Sequence, residues 1–151
     1  MTSIIDFFLP PVADNAVCGS KIPSYLFALI AIVSTVRSCV HILAPDGGAG
    51  SIAGLDLSVA GAPAIIFSFA LWGTAQLVYA FIQLAVAFRY RSLVPLMYVL
   101  LIIETLLRML VGHIKPVTFA HTPPGAIGNH VLLPLAALML IWGFISSRVE
   151  Q

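Results

Sequence analysis

The sequence predicts an all-α fold, an integral membrane four-helix bundle with both termini cytoplasmic. Three observations predict it. Of the 151 residues, 60% are apolar or aromatic and only 9% are charged, against roughly 25% charged in an ordinary soluble domain. A soluble chain of this size has to present a polar outside to water, and too few such side chains are present. Four segments each offer the about 20 mostly apolar residues that cross about 30 Å of hydrocarbon. Finally, Lys and Arg divide unequally between the two sides of that arrangement. The length allows a single membrane domain over residues 1–151 and leaves no room for a second.

Residues 1–23 do not read as a signal peptide. No basic region opens them, Asp6 interrupts the apolar stretch and Pro10-Pro11 ends it. A short interfacial piece over 4–9 is expected, with Phe7 and Phe8 buried in the leaflet. The spans are expected at about 24–43, 58–88, 93–112 and 131–147. The second is longer than a crossing requires, so either it tilts or its start, around Gly61-Ala62-Pro63, approaches the membrane separately. Pro63, Pro95 and Pro134 are each expected to open a helix, where the missing N–H costs little. Asp56 or Ser58 is placed to cap the second span. The short link Phe88-Arg89-Tyr90-Arg91-Ser92 predicts that the second and third spans are antiparallel neighbours. A β-barrel would alternate polar and apolar residues. Residues 64–71 and 99–103 are continuously apolar, which excludes it.

With four spans, Lys21, Arg89, Arg91 and Arg148 share one side with the termini. The other side carries only Lys115 among the basic residues, together with Asp46 and Asp56. Basic residues favour the cytoplasm, and on this count the bacterial inner membrane is the expected location. Net charge is +1 with no basic run, so a nucleic-acid partner is not expected. Cys18 and Cys39 fall near opposite ends of the first span, out of disulfide reach. With no C-x-x-C, a thiol–disulfide enzyme is excluded.

Ionisable residues inside a span cost a few kcal/mol on insertion scales and point to function. Arg37 and His41 lie one turn apart in the first span, as do Glu104 and Arg108 in the third. Both pairs fall in the outer half, and Glu104 is expected to pair with Arg37, Arg108 or both. Two arginines, one glutamate and a neutral histidine leave one positive charge over. That surplus suits an anionic group such as a phosphate or carboxylate, or a quinone oxygen; the alternative is a salt bridge that only fixes helix packing. Trp72, Gln76 and Gln83 share a stripe of the second span, and Trp72 and Gln76 complete the candidate ligand-binding set. Gly73 and Ala80 form a second stripe where another helix can approach.

His41, His113, His121 and His130 all fall on the outer side but show no H-x-x-H or H-E-x-x-H spacing. No metal site is assigned and the cofactor question stays open. The Gly-rich first connection, 44–58, opens with a Pro-Asp-Gly-Gly turn and is expected to fold back on the bundle, as a lid over the Arg37/Glu104 cluster or as a plain turn. The second connection, 115–130, is expected to be extended.

The late glutamate and arginine of the third span (Glu104-Thr105-Leu106-Leu107-Arg108), then Gly112 and Lys115-Pro116, sit in a four-span chain of this length. In this the chain resembles the DoxX-like small bacterial membrane proteins. The likeness covers about a third of the chain, chiefly from Arg89 to Pro116. Some members of that group are similar to accessory subunits of quinone-linked oxidoreductases, and the resemblance implies a role for Glu104 and Arg108. No catalytic cysteine or haem motif accompanies them. The expected function is therefore a non-catalytic accessory subunit, or a protein binding a lipid, quinone or other anionic amphiphile. Membrane lipids, a larger membrane complex and a second copy of the chain are the expected partners. The alternatives are a membrane enzyme on a lipid or isoprenoid substrate, or a small proton-coupled transporter.

Overall fold

The protein is described from a computed structural model over residues 4–17 and 19–149. The expected placement of Cys18 lies outside these residues. Five α-helices make up the fold: α1 (Ile4–Phe8), α2 (Ile22–Leu43), α3 (Ala62–Arg89), α4 (Val94–Ile114) and α5 (Pro124–Val149). A 3-10 turn, Arg91–Leu93, joins α3 to α4. No strand occurs among the described residues. Helices α2 to α5 are each long and apolar enough to cross a membrane, which makes this a four-helix, multi-pass membrane protein. We call the end holding the chain termini the terminal end and the opposite one the loop end.

Proline opens three of the spans as its chemistry dictates: Pro23, Pro63 and Pro95 all lie in first turns. Pro134 does not. Helix α5 starts at Pro124 instead of near 131, and Pro134 is inside it. A proline within a span is tolerated because neighbouring helices and local adjustment can re-satisfy the freed backbone group. The second connection is correspondingly shorter than expected. Helix α3 starts at Ala62, capped by neither Asp56 nor Ser58. The Asp56 carboxylate instead accepts from the backbone N–H of Ser58 at 2.9 Å and from its hydroxyl at 2.7 Å, closing a local turn. With 28 residues, α3 is about 42 Å long. That exceeds the hydrocarbon thickness and fits a tilted span.

The bundle is built as two hairpins. Helix α2 packs along α3, and α4 packs along α5, while contact between the hairpins is sparse. The expected neighbour relation of α3 and α4 therefore holds only weakly: they share the tightest turn, yet each has its main partner elsewhere. The reason is the stripe of small residues on α3. Gly73 and Ala80 are buried and bring α2 in closely. A Cβ added at Gly73 would stand 2.7 Å from His41 Cβ and 3.2 Å from the Ser38 carbonyl. Close backbone approach of this kind drives helix association in lipid, where no hydrophobic effect acts between helices.

The apolar core, built around Phe27, Met97, Tyr98, Leu101, Ala136 and Met139, joins the hairpins. Phe27 and Tyr98 meet edge-on at 5.6 Å, and the Tyr98 hydroxyl donates to the Pro23 carbonyl at 2.8 Å. At the terminal end the segment before α2 clasps the bundle. Phe7 is buried against Phe144, ring centroids 5.3 Å apart. Asp14 N–H donates to Ser92 Oγ and Ser20 N–H to Ser146 Oγ. A short helix forms over 4–8, within the stretch expected to be interfacial, but Phe7 is buried in protein and Phe8 is only half-buried.

Candidate functional site

Helix α2 places Arg37 and His41 on the face it turns to α3, and there both meet Trp72. The Arg37 guanidinium carbon lies 5.0 Å from the Trp72 ring centroid, and the His41 ring also lies 5.0 Å from it. Phe69, one turn earlier on α3, closes the other side of the imidazole at 5.8 Å. His41 is 4% exposed, so it is a core residue and not a solvated one. Its Nδ1 lies 2.8 Å from the Gly47 carbonyl. A carbonyl only accepts, so Nδ1 carries the proton. The other ring nitrogen, Nε2, is buried without a hydrogen-bond partner among the described residues.

The Gly47 contact draws in the first connection, which folds back on the bundle as its composition suggests. Gly47, Gly48 and Ala49 are buried. Gly47 and Gly48 take φ of 61° and 75°, the left-handed conformation that glycine adopts without strain. Asp46 organises the turn by accepting from the backbone N–H groups of Gly48 (2.9 Å), Gly50 (3.1 Å) and Ser51 (2.6 Å). Those bonds, Ser51 first, hold its carboxyl down to about 2. Asp56 is also held below the usual carboxylate range, chiefly by the Ser58 hydroxyl. The loop packs over the α2–α3 hairpin, at His41, Ile66 and Phe69. It also meets the second connection, where Ala120 N–H donates to the Gly54 carbonyl and His121 Nε2 lies 3.2 Å from the Ile52 carbonyl.

Helix α4 brings Glu104 and Arg108 to the same interior. They form an ion pair at 3.8 Å, one helical turn apart. Arg108 also reaches Thr105 Oγ1 at 3.4 Å, while its Nε is buried without a partner. Arg37 senses the charges of both Arg108 and Glu104, yet no carboxylate of the described residues lies within 4 Å of it. The surplus cation of the cluster is therefore Arg37. Its guanidinium is directed toward the start of α5, where a Cβ on Gly125 would stand 3.5 Å from Nη2. Positive helix-end dipole and arginine then point at the same region.

Five of the six candidate residues thus cluster at the loop-end half of the bundle through Trp72 or through charge: Arg37, His41, Trp72, Arg108 and its counter-ion Glu104. Gln76 is half-buried on the same stripe as Trp72. Gln83 lies toward the terminal end, 2% exposed, with Oε1 lacking a partner. Sequence reasoning missed Phe69 and the Gly47 carbonyl. The signal for Phe69 was its i, i+3 spacing to Trp72; the Gly47 contact depends on tertiary folding and had none. Among the described residues no three His, Cys, Asp or Glu side chains come together as a metal cluster. No protein-family model matches this chain, and no curated protein or solved structure matches it either.

Proposed function

We propose that the protein is a non-catalytic binding or accessory protein of the bacterial inner membrane. Its site, Arg37 with His41, Trp72, Gln76, Glu104 and Arg108, takes the anionic head of a lipid- or quinone-type amphiphile. The reading rests on one observation: Arg37 stands inside a membrane span against an aromatic ring, with no carboxylate of the described residues in ion-pair range. A cation so placed favours an anion that arrives from outside the chain. Sparse contact between the hairpins supports entry from the side, since an acyl or isoprenoid tail can remain in lipid. The DoxX-like resemblance at Glu104 and Arg108 agrees with an accessory role. An enzyme is less well supported, because no nucleophile stands beside a base in this cluster.

Native mass spectrometry of the protein, extracted from its own membrane in mild detergent, tests this. The expected result is a stoichiometric small-molecule adduct that Arg37→Met loses. Identical spectra for wild type and Arg37→Met, both bare, would overturn the reading.

A further inference from the structure

We infer that the terminal end of the bundle carries a second, separate oxyanion site, which takes one oxygen of a phospholipid phosphate. A cavity of about 20 Å³ opens there between the starts of α2 and α4 and the last turns of α5. That is room for one oxygen-sized group, enough for a phosphate oxygen whose remaining atoms stay at the mouth. Four polar side chains line it, Ser20, Ser24, Arg91 and Tyr98, and no carboxylate does.

The donors are free to act. Ser24 is 6% exposed, lines the cavity, and its hydroxyl has no hydrogen-bond partner among the described residues. A hydroxyl in the wall of a cavity and without a protein partner can donate to an acceptor that enters there. Arg91 is anchored by its Nε, which donates to the Ala87 carbonyl at 3.2 Å. Its two terminal amino groups have no partner among the described residues. Ser20 Oγ accepts from Ile22 N–H at 3.3 Å and keeps its own proton to give. Tyr98 is already committed to Pro23 and only walls the site. The first turn of α2 adds the positive end of a 22-residue helix. Each free group can donate, one of them is a cation and no carboxylate lines the cavity, which favours an oxyanion over a cation.

The surroundings select a lipid as the bearer. Phe7 of α1 forms part of the wall, and the same short helix exposes Ile4 and Ile5. A helix of that kind lies at the headgroup level of a leaflet. Val94, Pro95 and Leu140 supply apolar lining for the glycerol and upper chain.

The test uses the full chain, delipidated in a maltoside detergent, with lipid retention read by native mass spectrometry. The probes are phosphatidylglycerol, dioleoylglycerol and inorganic phosphate. Wild type is expected to hold phosphatidylglycerol and not dioleoylglycerol. Arg91→Gln is expected to weaken retention about tenfold, the scale of one charge-assisted hydrogen bond, with Ser24→Ala weakening it less and Arg91→Lys restoring part of it. Arg89→Gln removes the same charge from the same end without touching the cavity, and should leave retention unchanged. Equal losses in Arg89→Gln and Arg91→Gln would reduce the effect to diffuse surface charge and overturn the site. Equal retention of dioleoylglycerol would overturn the oxyanion. Protection by inorganic phosphate that phosphatidylglycerol fails to match would overturn the lipid as bearer. Arg37→Met, which tests the loop-end site, should leave this binding intact.

Discussion

The Arg37 guanidinium rests on the Trp72 ring at 5.0 Å, with the imidazole of His41 the same distance from that indole. Trp72 is 38% exposed on the outer wall of α3, so one half-open ring serves two side chains of α2. A cation–π contact contributes about 0.5–2 kcal/mol, more as water is excluded. Trp72→Leu is expected to lower stability by an amount in that range, and Trp72→Phe by less. Thermal unfolding in detergent checks the order. Equal losses for Phe and Leu would show that arginine draws nothing from the ring.

The glycines of the spans separate into two kinds. Gly73→Ala drives a Cβ to 2.7 Å from His41 Cβ and 3.2 Å from backbone. The expected cost is about 1–3 kcal/mol, as the α2–α3 pair is forced apart. Gly112 has nothing within 4 Å of its would-be Cβ, so Gly112→Ala should be neutral or stabilising by up to about 1 kcal/mol. Unfolding midpoints of the two variants, measured side by side, decide it; similar losses would count against the close packing at Gly73.

Among the described residues Glu104 is the carboxylate within ion-pair range of Arg108. Glu104→Gln leaves Arg108 without its counter-ion. The pair is partly exposed, at 23% and 38%, so the expected loss is about 1–2 kcal/mol, below that of a fully buried pair. A double variant, Glu104→Gln with Arg108→Met, should recover most of it. Failure of the second change to rescue the first would show that Glu104 acts elsewhere.

The first loop should respond to acid. Asp46 is held down to about 2, below its usual 3.8, by backbone donors led by Ser51. A depressed carboxyl stabilises the folded loop above the ordinary value, and that stabilisation fades as pH falls from about 4 through about 2. The amide proton of Ser51, 2.6 Å from the carboxylate, is the reporter: its NMR shift should titrate with a midpoint near about 2. A midpoint at the ordinary 3.8 would mean that the loop does not hold the carboxylate.

Much of the architecture was legible in these residues because a bilayer imposes a length and a polarity on anything that crosses it. The four spans, the first-turn prolines 63 and 95, and the Gly73/Ala80 approach were all readable in this way. What stayed hidden has a common cause. Lipid is as apolar as the protein interior, so a span shows no contrast between its inner and outer faces. Which helix lies beside which then depends on shape, and the short α3–α4 turn was a poor guide to pairing. Pro134 misled for a related reason: inside a bundle its lost hydrogen bond is survivable, and a breaker no longer marks a boundary. In the site, the charged pairs declared themselves by their cost in the membrane. The tie between His41 and Gly47, in contrast, depends on how the loop folds back.

The clasp at the terminal end sets an order of events. Ser20 bonds to Ser146 across 126 positions of chain, and Asp14 to Ser92 across 78. The segment before α2 thus waits for α5 before it can seat, whereas α2 and α3 can zip together as soon as both are inserted. Closure of that end follows the insertion of α5, and until then Asp14 and Ser20 lie open to proteases and membrane chaperones.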